Sequence, residues 1–214
     1  MSSANIFTLY LVRHGQTDWN VREVCAGQTD IPLNQQGHQE AGAIAGFFAD
    51  RPLAAIYGSD LERTRVTAEK VCQQKQLSYR EDPRLREINY GILEGTNSRE
   101  WPQTFPELMK TWNYSSFEKG PPEGESRKAL IDRCCSFLED LVAGQPNGPV
   151  ALFSHGGTIK AILTYIILRE ANLPINRSFG MIAVDNGSIT TLRWKKNRWQ
   201  IKQVNHTPPV SDKS

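Results

Sequence analysis

The chain has 214 residues, with 25 lysines and arginines against 23 aspartates and glutamates, a formal net charge of +2, and 39% hydrophobic residues. That length can bury a full core in a single domain, while a balance so near neutral excludes binding to nucleic acid or anionic membrane by bulk charge alone. A chain of this size requires no disulfide framework, and Cys25, Cys72, Cys134 and Cys135, which form no CxxC pair and have no histidine at metal-ligand spacing, read as reduced thiols. No run approaches the ~18 uninterrupted apolar residues of a membrane span, and Met1 to Asn5 lacks a basic signal-peptide region, so a soluble, cytoplasmic protein is expected.

The run from Ile6 to Val12 is apolar, aromatic and β-branched, which predicts a strand buried on both faces. It stops at Arg13-His14-Gly15. The strand therefore delivers a cation and an imidazole to the sheet edge where open α/β sheets bind ligands. That pair suggests an anionic substrate and a nucleophile or base, against the plainer reading of a surface Arg-His pair. Asp18 to Asp30 is polar and reads as loop. Asn34 then offers an N-cap to a helix with Ala41, Ile44, Ala45 and Phe48 on its inward face. Ala54 to Tyr57 predicts a second strand, followed by a helix capped by Ser59 or Asp60 and turning Ala68, Val71 and Cys72 inward. Arg63 and Arg65 fall in its first two turns, where the helix dipole disfavours a cation by a few tenths to about 1 kcal/mol. An anion shared between Arg13 and Arg63 would remove the conflict, whereas Arg65 is as well explained by solvation.

Leu77 to Arg80 predicts an edge strand. Arg84 to Gly95 shows no sustained period and reads as a loop crossing the site, with Glu87 among arginines. From Thr96 to Glu125, Trp101, Phe105, Trp112, Tyr114 and Phe117 alternate with prolines. Such a stretch is too aromatic for disorder and too broken for a strand, which predicts a small helical cap over the catalytic face, although packing alone accounts for most of these rings. Ser126 caps a helix with Leu130, Cys134, Phe137, Leu138 and Leu141 inward, ending at Gly144. Pro149 to Ser154 is another buried strand, leading into His155-Gly156-Gly157-Thr158 and an apolar helix whose N-terminus is a ready anion site. Two histidines at matching strand ends, each followed by glycine, argue for a shared site. Asn186-Gly187 between Met181–Val184 and Ile189–Trp194 predicts a hairpin, and Lys196-Asn197 a second turn into Trp199–Val204. The basic and aromatic residues there are what a hairpin buried on one side displays, so no nucleic-acid surface is inferred. From His206 onward, and over 208–214 in particular, a disordered tail is expected.

Four blocks now stand in order: Leu11-Val12-Arg13-His14-Gly15-Gln16-Thr17 with Asn20; Ser59-Asp60-Leu61-Glu62-Arg63-Thr64-Arg65; Leu85-Arg86-Glu87 with Gly91 and Glu94-Gly95; and Ser154-His155-Gly156-Gly157. Together they resemble the histidine phosphatase superfamily, in its cofactor-dependent phosphoglycerate mutase-like branch, from Leu9 to about Val204. The resemblance implies a three-layer α/β/α sandwich in one domain over 1–207, with a mixed, mostly parallel six-stranded sheet holding one antiparallel strand and a cap insertion at about 96–125. It implies catalysis through a phosphohistidine, as in a histidine acid phosphatase-type enzyme. His14 would be the nucleophile, Arg13, Arg63 and His155 the phosphoryl pocket, and Glu87 the proton donor. Asn20, Gly27 and Gly156 would contact phosphate or substrate, with Arg65 and Tyr90 as weaker candidates.

The chemistry of these residue types agrees. A neutral imidazole is not repelled by a phosphomonoester dianion, and arginine offers a permanently charged planar fork to phosphate oxygens. The true mutases resemble one another in an extra lysine and an adjacent Arg-Arg pair in the cap, whereas this chain has only Arg99, Lys110 and Lys119 between Gly95 and Glu125. It carries instead the common Gly124-Glu125-Ser126 turn. A phosphatase that needs no metal and no cofactor is therefore expected, with a mutase as the alternative and a binding protein that has lost catalysis as a third reading. The expected partner is a small-molecule phosphomonoester, with a homodimer left open and neither nucleic acid nor membrane implied.

Overall fold

In the computed structural model, residues 6–112, 116–175 and 182–210 are described. The strands are β1 (Phe7–Arg13), β2 (Ala55–Gly58), β3 (Tyr79–Glu81), β4 (Val150–Ser154), β5 (Ile189–Lys195) and β6 (Arg198–His206). The α-helices are α1 (Asp18–Val21), α2 (Gln35–Phe48), α3 (Glu62–Lys75), α4 (Trp101–Thr104), α5 (Pro106–Thr111), α6 (Arg127–Ala143) and α7 (Gly156–Glu170). The strands form one sheet in the order β3-β2-β4-β1-β5-β6. Neighbours from β3 to β1 are parallel, and β5 is antiparallel to both β1 and β6, so a single strand is reversed.

Strand alternation sorts the core into two halves. Leu9, Leu11, Val150 and Leu152 face α6 and α7, where Leu130, Phe137, Ile159 and Ile162 meet them. Val12, Ala151 and Phe153 face the other way, onto Ile44 and Phe48 of α2 and Ala68 and Val71 of α3. Both faces of β4 are fully buried, as its unbroken apolar run requires. The result is the three-layer α/β/α sandwich with a mixed, mostly parallel sheet. The described residues of 96–125 form short helical turns around a small cluster of Leu93, Trp101 and Trp112. No helix among the described residues is long and apolar enough to cross a membrane.

Several local expectations change. The Asn186-Gly187 turn joins no hairpin: Ile182 to Val184 form no strand, Met181 lies outside the described residues, and β5 pairs with β1. The turn is recruited elsewhere, because the Gly187 N–H donates to the His14 carbonyl at 3.1 Å. The second expected turn, Lys196-Asn197, does join a hairpin, of β5 and β6, and both its residues take positive φ and match the twist of the flanking strands. Neither Ser59 nor Asp60 is the N-cap of α3, which is Leu61. Ser59 Oγ accepts from the Leu61 N–H at 3.2 Å, and the Asp60 carboxylate is taken by Arg86 at 2.5 Å. Asn34 caps α2 and Ser126 caps α6 as predicted, accepting from Gly37 and Ala129. Within the expected loop after β1, Thr17 and Asn20 form a reciprocal capping box that starts α1. His206 belongs to β6 and packs on Phe47; of the tail expected beyond it, residues 211–214 lie outside the described residues, as does Tyr114 of the aromatic stretch. All four cysteines are free thiols, Cys134 buried and Cys135 less so.

Candidate active site

Because β1 and β4 are parallel neighbours with Arg13 opposite Ser154, the residues that follow each strand emerge side by side. The His14 N–H donates to the Ser154 carbonyl at 3.0 Å, and the His14 and His155 ring centroids are 5.2 Å apart. A Cβ on Gly15 would lie 2.4 Å from the Gly37 carbonyl oxygen, so the turn that aims His14 can pass α2 only as glycine. Arg63 reaches the same place from the first turn of α3. It is 1% exposed, and three acceptors orient its guanidinium: His155 Nδ1 at 3.2 Å from Nε, the Thr29 carbonyl at 2.8 Å from Nη1 and the Gly27 carbonyl at 2.7 Å from Nη2. Arg13 Nη1 donates to the Val184 carbonyl at 2.6 Å, while its buried Nε has no partner.

These bonds fix both imidazole tautomers. His14 Nδ1 lies 2.7 Å from the Gly15 carbonyl, which can only accept, so Nδ1 carries the proton and Nε2 keeps a free lone pair. His155 Nδ1 accepts from Arg63, so its proton sits on Nε2, a buried atom without a partner. One ring thus presents a nucleophile and the other a donor. Burial first, and then the charges of Arg63 and Arg13, hold the His14 pKa well below the ordinary imidazole value. Burial, Arg63 and His14 do the same to His155.

A stability effect follows from these two depressed values. The unfolded chain protonates both imidazoles below pH ~6.5 and the folded chain does not, so stability is complete above that pH and is lost as pH falls. Each histidine contributes up to about 1.4 kcal/mol per pH unit. Urea unfolding in phosphate-free buffer should show a loss of about 2–3 kcal/mol between pH 7.5 and 5.5. A flat profile over that range would mean that the rings are charged in the fold.

Glu87, on the loop after β3, closes the site from the α7 side. Its Oε2 accepts from the Gly157 N–H at 2.9 Å and its Oε1 from the Ile88 N–H at 2.9 Å. The N-terminus of α7, expected to be open to a ligand anion, is thus partly occupied by this internal carboxylate. A Cβ on Gly157 would come within 2.3 Å of Glu87 Oε1. Four of the five predicted catalytic residues, Arg13, His14, Arg63 and Glu87, line one cavity of about 640 Å³ together with Asn20, Gly27 and Tyr90, whereas the fifth, His155, is fully buried beside His14 and does not line it. Asn20 Oδ1 accepts from Thr17 N, Thr17 Oγ1 and Asn186 Nδ2, which leaves its amide N–H groups for a ligand. Gly156 lies behind the site instead of lining the cavity: a Cβ there would sit 3.3 Å from the Arg13 guanidinium. Arg65 is not brought to the site. It lines a separate groove, half exposed and 3.7 Å from Glu81, because its place in α3 turns it away from Arg63.

The supporting groups were less legible. Glu94 accepts from Gln28 N, Thr29 N, Thr29 Oγ1 and Tyr90 N, which holds the 27–29 loop whose carbonyls orient Arg63. Arg133 donates to the carbonyls of Arg84, Arg86 and Glu87 and to the Glu125 carboxylate, so it buttresses the Glu87 loop from α6. Asn186 ties His14 and Gly15 to Asn20. Glu94, Glu125 and Asn186 belong to the Glu94-Gly95, Gly124-Glu125-Ser126 and Asn186-Gly187 sequences already singled out, though for other reasons; Arg133, in an amphipathic helix, carries no local signal. No group of three or more His, Cys, Asp or Glu among the described residues could hold a metal ion.

The chain matches the family model for the histidine phosphatase superfamily (branch 1) over residues 9–207. It is 30% identical to the "Uncharacterized phosphatase PhoE" of Bacillus subtilis (strain 168), over 91% of this chain and 92% of that protein. It is also 30% identical to the "Probable phosphoglycerate mutase GpmB" of Proteus mirabilis (strain HI4320), over 95% of each. Among solved structures, the native mycobacterial glucosyl-3-phosphoglycerate phosphatase superposes with a TM-score of 0.79 at 29% identity, over 94% of this chain and 99% of that one.

Proposed function

The chain belongs to branch 1 of the histidine phosphatase superfamily, and we propose that it is a metal-independent phosphomonoesterase that hydrolyses a small-molecule phosphate ester through a phosphohistidine at His14. The observation that carries this reading is the set of buried, incompletely paired groups around His14: Arg13 Nε and His155 Nε2 are both without partners. Unmatched buried donors cost about 1–3 kcal/mol each, and phosphoryl oxygens are the acceptors that would satisfy them.

His14 Nε2 attacks phosphorus in line with the ester oxygen, forming the N–P bond as the P–O bond breaks. Arg13, Arg63 and the His155 Nε2–H hold the equatorial oxygens, where electrostatic stabilisation counts most in phosphoryl transfer. Glu87 gives its proton to the departing alkoxide. Water then attacks the phosphohistidine and loses a proton to Glu87, the N–P bond breaks, orthophosphate leaves, and His14 is neutral again. Each Glu87 oxygen keeps a second lone-pair position for these transfers beside the N–H bond it already accepts.

Hydrolysis is favoured over mutase chemistry because two cations of the 96–125 stretch are already engaged: Arg99 pairs with Glu23, and Lys110 with Glu107 at 2.6 Å. Incubation with phosphomonoesters in the presence of a chelator should release orthophosphate stoichiometrically with the alcohol. Phosphate exchange between the carbons of phosphoglycerate, dependent on 2,3-bisphosphoglycerate and without net release, would replace this reading with the mutase.

A further inference from the structure

The same cavity extends well past the phosphoryl end. A phosphoryl group needs on the order of 100 Å³, scaling from the ~30 Å³ share of a water molecule, whereas the cavity holds about 640 Å³. Three aromatic side chains, Trp19, Tyr90 and Trp101, line it together with Glu23, Ser98 and Arg99. These rings are held in place. The Trp101 indole N–H donates to Thr96 Oγ1 at 2.8 Å, and its ring packs on Tyr90 and Trp112 with centroids 6.2 and 6.1 Å away. Trp19 projects from α1, beside Asn20, and its ring edge would lie 3.6 Å from a Cβ on Gly95.

Charge narrows the class of ligand. Of the cations lining the cavity, Arg13 and Arg63 serve the phosphoryl end and Arg99 is paired with Glu23. That exposed ion pair contributes little to stability, but it leaves the outer cavity with no unneutralised cation for a second anionic group. Glu23, on the same wall, is the carboxylate that cancels the Arg99 charge there.

The geometry points to a leaving-group subsite, formed by Trp19, Tyr90 and Trp101, that takes an uncharged aromatic or nucleoside-like moiety and disfavours small esters bearing a second anion. This inference rests on the phosphatase reading for the site's phosphoryl end. Stacking of an aromatic leaving group on these rings is expected to give a preference of about tenfold.

Two readouts separate the subsite from the reaction. Calorimetry with benzylphosphonate and methylphosphonate, which have no ester bond to cleave, should give at least tenfold tighter binding of the benzyl compound. In Trp19→Ala that ratio should fall about tenfold, and Trp19→Phe should restore it to within about threefold. Hydrolysis of benzyl phosphate and glycerol 1-phosphate, whose alkoxides are of similar basicity, should show the same ratio in kcat/KM. Glu23→Gln, which frees Arg99, should improve 3-phosphoglycerate several-fold relative to benzyl phosphate. Equal binding of the two phosphonates, or a ratio that Trp19→Ala leaves unchanged while Trp19→Phe folds normally, would overturn the subsite even if both esters are hydrolysed. A retained benzyl preference with no hydrolysis would instead overturn the phosphatase reading alone.

Discussion

Replacing His14 with alanine is expected to lower kcat by about 10⁴- to 10⁶-fold, the scale on which removal of a nucleophile that acts as one unit with its neighbours is felt. Arg13, Arg63 and His155 would still bind the ester, so KM should change far less than kcat. The wild-type protein, quenched after incubation with a labelled phosphomonoester, should yield an acid-labile, alkali-stable phosphoprotein that His14→Ala does not form. The variant also gives an internal check on the electrostatics. His14 is one of two buried imidazoles held neutral, so deleting it should roughly halve the acid-side slope of stability described above. His155→Ala should share that effect on stability yet still form the phosphoenzyme, more slowly, because it removes a donor and not the attacking atom. Turnover unchanged by His14→Ala would end the covalent reading outright, and label recovered on another residue would move the nucleophile.

The part of this site that was legible in the sequence is the part written by the strands. An apolar run ending in Arg13-His14-Gly15 and another ending in Ser154-His155-Gly156 predict parallel strands that deliver their histidines to one edge, and β1 and β4 do so in adjacent register. Arg63 was legible for a different reason: a cation in the first turn of a helix conflicts with the dipole, and buried it satisfies the carbonyls of Gly27 and Thr29 as well as His155. Arg65 raised the same suspicion two residues later, but a turn of 100° per residue puts it on the opposite side of α3, against Glu81. The misread hairpin has an equally local cause. Asn186-Gly187 has the composition of a tight turn, but its bonds go to the backbone of His14 and Gly15, a demand that only tertiary structure makes. Arg133 and Glu94 act through backbone carbonyls and N–H groups on loops remote in sequence, and no spacing rule registers bonds of that kind.

For Glu87 the expected result depends on the leaving group. Glu87→Gln keeps the shape of the side chain and one acceptor oxygen, but its amide sets an N–H against one of the two backbone donors, at a cost of about 1–3 kcal/mol in stability. The variant cannot protonate an alkoxide, so with an alkyl phosphate kcat should fall by about 10²- to 10⁴-fold. With p-nitrophenyl phosphate the leaving anion needs no proton, and the first step should be nearly spared. The second step still needs a base to take the proton of water, so phosphohistidine should accumulate. Rapid mixing should then record a burst of nitrophenolate close to one equivalent, followed by slow turnover. Gly157→Ala approaches the same carboxylate from α7: its new Cβ, 2.3 Å from the present position of Oε1, forces Glu87 to move without changing its chemistry. That variant should reproduce the pattern at smaller amplitude, with about a tenfold loss on the alkyl ester. Equal losses on the two esters with no burst would show that Glu87 shapes the pocket and transfers no proton, and the acid would then have to be sought among the other groups that line the cavity.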